Sequence, residues 1–256
     1  MIKESLYFTF DGRKSTDFNL INVSINPGLY EENLSSSRSI IEQNKAGVHE
    51  PYFLRVQRDP ITIPLTFCFK EQWNTQLIDE ILDWLDVDNY KQLAFNGDFD
   101  RLFYAMPIEN ISLVHNGLKQ GYMTLNMRCK SPFAESHVVQ NSFDFTKNDI
   151  NSFTIDNKGW LDIKPVLQII KVGDGDIKII NSTKAYSDFI LTDLKNNEHL
   201  VIDCKKHYIN SSLGTERYDN FNHNYLSLPY GMNRLRIEGK CVLVIRYSYK
   251  YRALSL

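Results

Sequence analysis

Residues whose types could do chemistry are few in this chain and do not converge. Asp98-Phe99-Asp100-Arg101 sets two carboxylates beside a guanidinium, the inventory of an acid/base pair or a metal site. It follows Asn96-Gly97, a turn pair, and Asx side chains in such places hydrogen-bond neighbouring backbone. A site needs a constellation around it, and none accompanies this cluster. Gly173-Asp174-Gly175-Asp176 has the outline of a calcium loop, but Ile177-Lys178-Ile179-Ile180 follow. Spaced oxygen ligands and a closing glutamate are required there. A tight turn between strands explains it better. The six histidines, His49, His115, His137, His199, His207 and His223, lack metal-ligand spacing, and Pro51 after His49-Glu50 excludes a helical HExxH site. There is no nucleophile elbow, P-loop or dinucleotide fingerprint. A catalytic triad can be dispersed along a chain, but nothing here points to one. The expectation is no catalytic residue, no metal and no cofactor.

Aromatic residues are the next candidates. Trp160, Tyr186, Tyr208, Tyr218, Phe221, Tyr225 and Tyr230 crowd the second half. Exposed, they could stack on sugar faces. Tyrosine equally suits a half-buried pleated surface, and the last strand-like run shows that use. Cys241, Leu243, Ile245, Tyr247, Tyr249 and Tyr251 share one face, with Arg246 and Lys250 on the other. Packing is the preferred reading. The four cysteines, Cys68, Cys129, Cys204 and Cys241, form no CxxC pair and read as buried free thiols made in a reducing cytoplasm. A formal charge of −2 leaves no basic footprint for nucleic acid. The start, Met1 to Tyr7, lacks the apolar run of a signal peptide. No stretch approaches the roughly 18 apolar residues that span a bilayer, so no membrane insertion is expected.

The elements that would position these residues are mainly β. With 256 residues the chain is long enough for one large or two ordinary domains with a real core. From Phe153 onward, short alternating segments recur at near-regular spacing: Val166–Lys171, Ile177–Asn181, Asp188–Thr192, His199–Cys204, Tyr225–Leu228, Arg234–Glu238 and Cys241–Tyr251. Such a series predicts a sandwich or jelly roll. The first half alternates over Leu6–Phe10, Phe18–Ser24, Tyr52–Gln57, Ile61–Phe69, Leu102–Ile108 and Tyr122–Cys129, each a half-buried strand. Pro64 argues for an edge or a bulge in its strand, because it has no N–H to donate. Leu77, Ile81 and Leu85, with Ile78 and Leu82 beside them, predict one helix over about 74–86, capped by Asn74. Trp73 would staple onto Ile78, and Trp84 would pack on the sheet. His115-Asn116-Gly117 predicts a hairpin turn with cheap positive φ at Asn-Gly. The domain boundary falls near residue 135, and the polar tract His137–Asn151 reads as a link.

One segment does not read as core. Pro27–Gly47 is polar, with isolated Leu29, Tyr30, Leu34, Ile40 and Ile41. A loop this long in a compact domain is functional or disordered. Composition alone leaves two readings open: a surface excursion, or a hairpin arm lying across a neighbouring subunit.

The punctuation also resembles a family. Phe153-Thr154-Ile155-Asp156-Asn157, Gly159, Lys164-Pro165, Gly173-x-Gly175-x-Ile177, Asn181, Ile202-Asp203 and Gly231-x-Asn233 resemble the C-terminal domain of distal tail (Dit) proteins of long-tailed, siphovirus-type bacteriophages. The helix ending Asp83-Trp84-Leu85 is similar to the first domain of that family. So are Lys91 to Phe95, Arg101 to Ala105 and Arg128 to Ala134. The resemblance implies an N-terminal β-sandwich or split-barrel domain (1–135) with one helix and a projecting hairpin arm. A galectin-like, jelly-roll β-sandwich (136–256) would follow. It implies a homo-hexameric ring at the distal end of the virion tail, assembled in the bacterial host cytoplasm, with DNA passing only in transit. Implied partners are the tail tube protein, the tail-associated hub protein, and receptor-binding or other tip proteins. It favours the arm reading, so Leu29, Tyr30, Leu34, Ile40 and Ile41 become expected interface residues. The alternative function is a carbohydrate-binding adhesion module contacting the host cell wall.

Overall fold

The computed structural model describes residues 2, 4–23, 35–183 and 188–252. The chain divides into two compact units, Met1–Glu135 with Tyr251–Leu256, and Ser136–Lys250. Both are antiparallel β structures, and the described residues include one α-helix.

In the first unit the strands are β1 (Phe8–Phe10), β2 (Arg13–Lys14), β3 (Leu20–Asn22), β4 (Arg38–Gln43), β5 (Tyr52–Arg58) and β6 (Thr62–Phe69). After the helix come β7 (Lys91–Phe95), β8 (Asp98–His115), β9 (Gly121–Cys129) and the short β10 (Ala134–Glu135). The main sheet runs β2-β1-β7-β8-β9-β6-β3. Period-two alternation decides which face closes. Ile61, Ile63, Leu65, Phe67 and Phe69 are buried, as are Met123, Leu125, Met127 and Cys129 of the neighbouring β9. Pro64 pairs with Asn126 of β9. On its other side β3 reaches only Phe67–Phe69, so the missing N–H falls where β6 has a single described neighbour.

The helix α1 (Thr75–Leu85) begins where Asn74 Oδ1 accepts a 2.8 Å hydrogen bond from Leu77 N. Its apolar stripe lays Ile81, Trp84 and Leu85 on the core. Trp84 stacks on Phe18 at 4.5 Å, and its indole N–H donates to Phe10 O at 2.9 Å. Trp73 turns its ring edge to His115 at 5.3 Å, a partner that the staple expectation did not include.

The second unit is a two-sheet sandwich. Its strands are β11 (Val139–Phe145), β12 (Ile150–Asn157), β13 (Val166–Lys171), β14 (Gly175–Asn181), β15 (Phe189–Leu194) and β16 (His199–Asp203). They continue with β17 (Tyr208–Ser211), β18 (Gly231–Glu238) and β19 (Cys241–Tyr247); the short β20 (Lys250–Tyr251) belongs to neither sandwich sheet and falls at the division between the units. A five-stranded sheet, β11-β19-β13-β16-β17, faces a four-stranded one, β12-β18-β14-β15. Leu167, Ile169, Leu243 and Ile245 from one sheet share a core with Ile155, Ile177, Ile179 and Ile237 from the other.

Several expectations need correction. The tract 137–151 is not a link, because it supplies β11 and the start of β12. Its outward residues are polar, which hid the inward Phe143 and Phe145. Tyr225–Leu228 is no strand and makes a single bridge, Leu228 to Ile163. At the β8–β9 turn the positive φ belongs to Lys119, at 58°, and Gly117 is not in that region. Asn116 shapes this turn by accepting at Oδ1 from Leu118 N and Gln120 N. Cys68 is only half-buried, unlike the other thiols.

Candidate functional site

The local chemistry that could have formed an active centre is spent on structure. Asp98 Oδ1 accepts from Asp100 N at 3.1 Å, and Asp98 Oδ2 pairs with Arg101 Nε at 2.9 Å. Asp174 Oδ1 accepts from Asn196 N at 2.8 Å, and Asp176 Oδ1 accepts from Asp193 N at 3.0 Å. These carboxylates tie neighbouring turns together. Gly173 and Gly175, at φ 69° and 126°, allow the first of those turns. Among the described residues no group of three or more His, Cys, Asp or Glu is placed to hold a metal ion.

A buried ionic cluster lies in the second unit. Arg217 donates to both carboxylate oxygens of Glu198, from Nε at 2.8 Å and Nη2 at 2.7 Å, and Ser211 Oγ donates to Glu198 Oε1 at 2.6 Å. Burial pushes the Glu198 pKa up, but the donors from Arg217, Lys195 N and Ser211 outweigh it and hold it below the ordinary glutamate value. Arg217 also donates to Asp193 O and Asn220 Oδ1. Every polar end is used, and the cluster holds the long segment between β17 and β18 against the sandwich. It is a fastening and leaves no group free to react.

The feature left without an internal role is the hairpin of β4 and β5. Among the described residues these strands pair only with each other, from Arg38↔Arg58 to Gln43↔Tyr52, with a register shift after Ile41. The pairing sorts the side chains by face. Arg38, Ile40 and Glu42 align with Arg58, Val56 and Phe53. Ser39, Ile41 and Gln43 align with Gln57, Arg55 and Tyr52, and Leu54 occupies the bulge. Ile40 and Phe53 are each 61% exposed and Leu54 57%. Tyr52 and Val56 are exposed too, and Ile41 is half-buried. An isolated two-stranded hairpin is marginal in water, and this one places apolar side chains on both faces.

Of the expected interface residues, Ile40 and Ile41 sit together on β4. Leu29, Tyr30 and Leu34 lie outside the described residues. Tyr52, Phe53, Leu54 and Val56 were read as part of a half-buried strand and are exposed instead. The sequence did carry a signal: Tyr52-Phe53-Leu54 is apolar at consecutive positions, so neither face of that strand could be the polar one. The aromatic residues of the second unit divide. Phe221 is buried, and Tyr218 and Tyr225 pack on the core, whereas Trp160, Tyr208 and Tyr230 are exposed; Tyr186 lies outside the described residues.

Two family models match the chain, described as phage tail protein N-terminal domain over residues 3–131 and phage tail C-terminal domain over residues 133–247. The SPbeta prophage-derived protein YomH of Bacillus subtilis (strain 168) is 34% identical over 252 residues, covering 98% of this chain and 100% of that protein. Among solved structures, the SPP1 Dit (gp 19.1) protein is similar with a TM-score of 0.70 at 12% identity. That match covers 95% of this chain and 98% of that one. Its description is a paradigm of the hub adsorption apparatus in phages infecting Gram-positive bacteria. At that identity the likeness is one of fold.

Proposed function

The chain belongs to the phage tail protein family, and from that premise we propose that it is the distal tail protein of its phage. Copies associate head-to-tail through their first units (1–135) into a hexameric ring that continues the tail tube and leaves a passage for DNA. The second units (136–256) carry receptor-binding or other tip proteins, and the tail-associated hub protein meets the opposite ring face. Function here is geometry and buried interface. The observation that carries this reading is the β4–β5 hairpin. Exposed apolar residues occur elsewhere, Leu118, Val138 and Tyr230 among them, but this element gathers Ile40, Phe53, Leu54 and Val56 in water on two short strands. Head-to-tail contacts of this kind close only when the rotation per copy divides a full circle. Assembly in the host cytoplasm fits the chain's four free thiols.

Light scattering and negative-stain imaging of the purified chain test it. Annular particles of six-fold symmetry are expected, and a strictly monomeric species at high concentration would overturn the ring. A second reading, a sugar-binding adhesion module, has the exposed Trp160, Tyr208 and Tyr230 in its favour. Saturable binding of the full chain to host cell-wall glycans would promote it.

A further inference from the structure

The two flanks of the sandwich are finished differently. An edge strand leaves a row of backbone N–H and C=O groups in need of partners, so each flank can be accounted for group by group. On one flank the edge strands are β15 and β17, and the segment 212–230 satisfies them. Asn222 N donates to Ile190 O at 3.2 Å, Thr192 N donates to Asn220 O at 2.9 Å, and Asn222 Oδ1 accepts from Ile190 N at 3.2 Å. On β17, Ile209 N donates to Tyr218 Oη at 3.3 Å, and Ser211 O accepts from Gly214 N at 3.1 Å. That flank is closed.

On the other flank the edge strands are β11 and β12. They lie side by side across the core, since the rings of Phe143 and Phe153 are 4.6 Å apart, centre to centre. Gly239 N donates to Asp149 O at 2.7 Å, one pair beyond the β12–β18 register. Bonded pairs alternate in an antiparallel ladder. Phe153 and Ile155 therefore turn their backbone groups to β18, and Ile150, Ser152 and Thr154 turn theirs outward. The same count from Val172 N, which donates to Lys240 O at 3.0 Å, turns Gln140 and Ser142 of β11 outward. Among the described residues no hydrogen bond reaches these outward N–H and C=O groups. The next outward carbonyl, Asp156 O, accepts from Tyr249 Oη at 3.2 Å.

This edge is also unguarded. Exposed edges are ordinarily blunted by lysine, proline, a bulge or a very short strand. The strand β12 has 8 residues in unbroken register with β18 and contains no Lys, Arg or Pro, and β11 contains none either. Its outward positions carry the exposed, uncharged side chains of Ile150, Ser152 and Thr154. A row of amide donors and carbonyl acceptors at strand spacing is matched by another extended backbone.

We propose that an extended strand of another tail-tip protein adds to β12 and enlarges its four-stranded sheet. Its apolar side chains extend the Phe143–Phe153 layer on the core side, and its uncharged ones lie beside Ser152 and Thr154 on the solvent side. A second copy is not the occupant. Head-to-tail neighbours are related by no two-fold axis, so β12 never meets β12, and the neighbour's opposite flank is closed. This inference rests on the reading of the second unit as the carrier of tip proteins and names the edge that carries them.

Hydrogen exchange read by mass spectrometry tests it by comparing the purified full chain with the same chain in intact phage tails. The Ser152 and Thr154 amides should slow at least about a hundredfold in tails, while the Thr192 amide, bonded in both, should not change. Ser152→Pro with Thr154→Pro removes two donors that the ladder with β18 does not use. This variant should form rings as the wild type does, and tails built with it should lack a tip protein. If it fails to fold by circular dichroism, Thr154→Lys guards the edge instead and should give the same loss. Unchanged exchange at Ser152 and Thr154, or tails of complete composition built from a folded variant, would overturn the edge and leave the ring standing. A chain that forms no annular particle, yet gains this protection in tails, would overturn the ring alone.

Discussion

The second unit and the arm of the first are built from the same antiparallel pairing and end in opposite states. In the sandwich every inward position closes: Leu243 and Ile245 of β19 meet Ile237 of β18 and Ile179 of β14 in one core. Even its ionic group is sealed, with Glu198 fully buried against Arg217. In the arm, strands of similar length and composition leave both faces in water. Burial of apolar area drives folding at roughly 25 cal/mol per Å². The sandwich therefore carries its stability within one chain, while the arm leaves apolar area unburied.

The hardest blow to the closed half is Arg217→Ala. It leaves a buried carboxylate unpaired and should destabilise the second unit by about 3–5 kcal/mol in denaturant unfolding, with ring formation by the folded protein unchanged. Replacing both partners by apolar residues, Glu198→Leu with Arg217→Met, should recover most of that loss. Leu243→Ala comes next, at about 2–5 kcal/mol, as the core loses a fully buried side chain. Acidification is a milder version of the first change. Because donors hold the folded Glu198 pKa below its ordinary value, its contribution is present above the unfolded value of about 4.3 and fades as pH falls through the lower folded one. Thermal melting followed from pH 6 down should show that fall, and Glu198→Gln should flatten it. Asn74→Ala removes the cap of α1 and should cost about 1 kcal/mol.

The smallest folding effect is expected where the comparison is sharpest. Phe53→Ser should alter unfolding by no more than about 0.5 kcal/mol, as surface changes do, while weakening self-association in sedimentation. If Phe53→Ser unfolds the chain instead, the arm belongs to the fold and the contrast between the regions collapses.

What was legible in the sequence follows the same division. Strands with one closed face announce themselves by alternation, as Ile61 to Phe69 and Met123 to Cys129 do, and the cap and stripe of α1 were both readable. The strand β11 was not, because Gln140, Ser142 and Asp144 on its outer face outweighed Phe143 and Phe145 in a polar tract. The 18-residue length of β8 was hidden as well, since its bulge after Ile108 breaks the period. The Glu198–Arg217 pair joins positions 19 apart that only the folded sandwich brings together. Of the arm, the isolated apolar residues Ile40 and Ile41 stood out in their polar surroundings. The opposite strand was read as half-buried although consecutive Tyr52-Phe53-Leu54 carried a signal against it, and its pairing with β4 is a property of three-dimensional structure.

The interior thiols have a consequence for durability. Burial pushes the pKa of Cys129, Cys204 and Cys241 up to about 12, so at neutral pH each is held as the unreactive thiol. Oxidants and disulfide-forming agents therefore find almost nothing to attack in either core, and a mild alkylating reagent would register Cys68 first. Neither core depends on a cross-link, and the thiol an oxidant would reach is the half-buried Cys68.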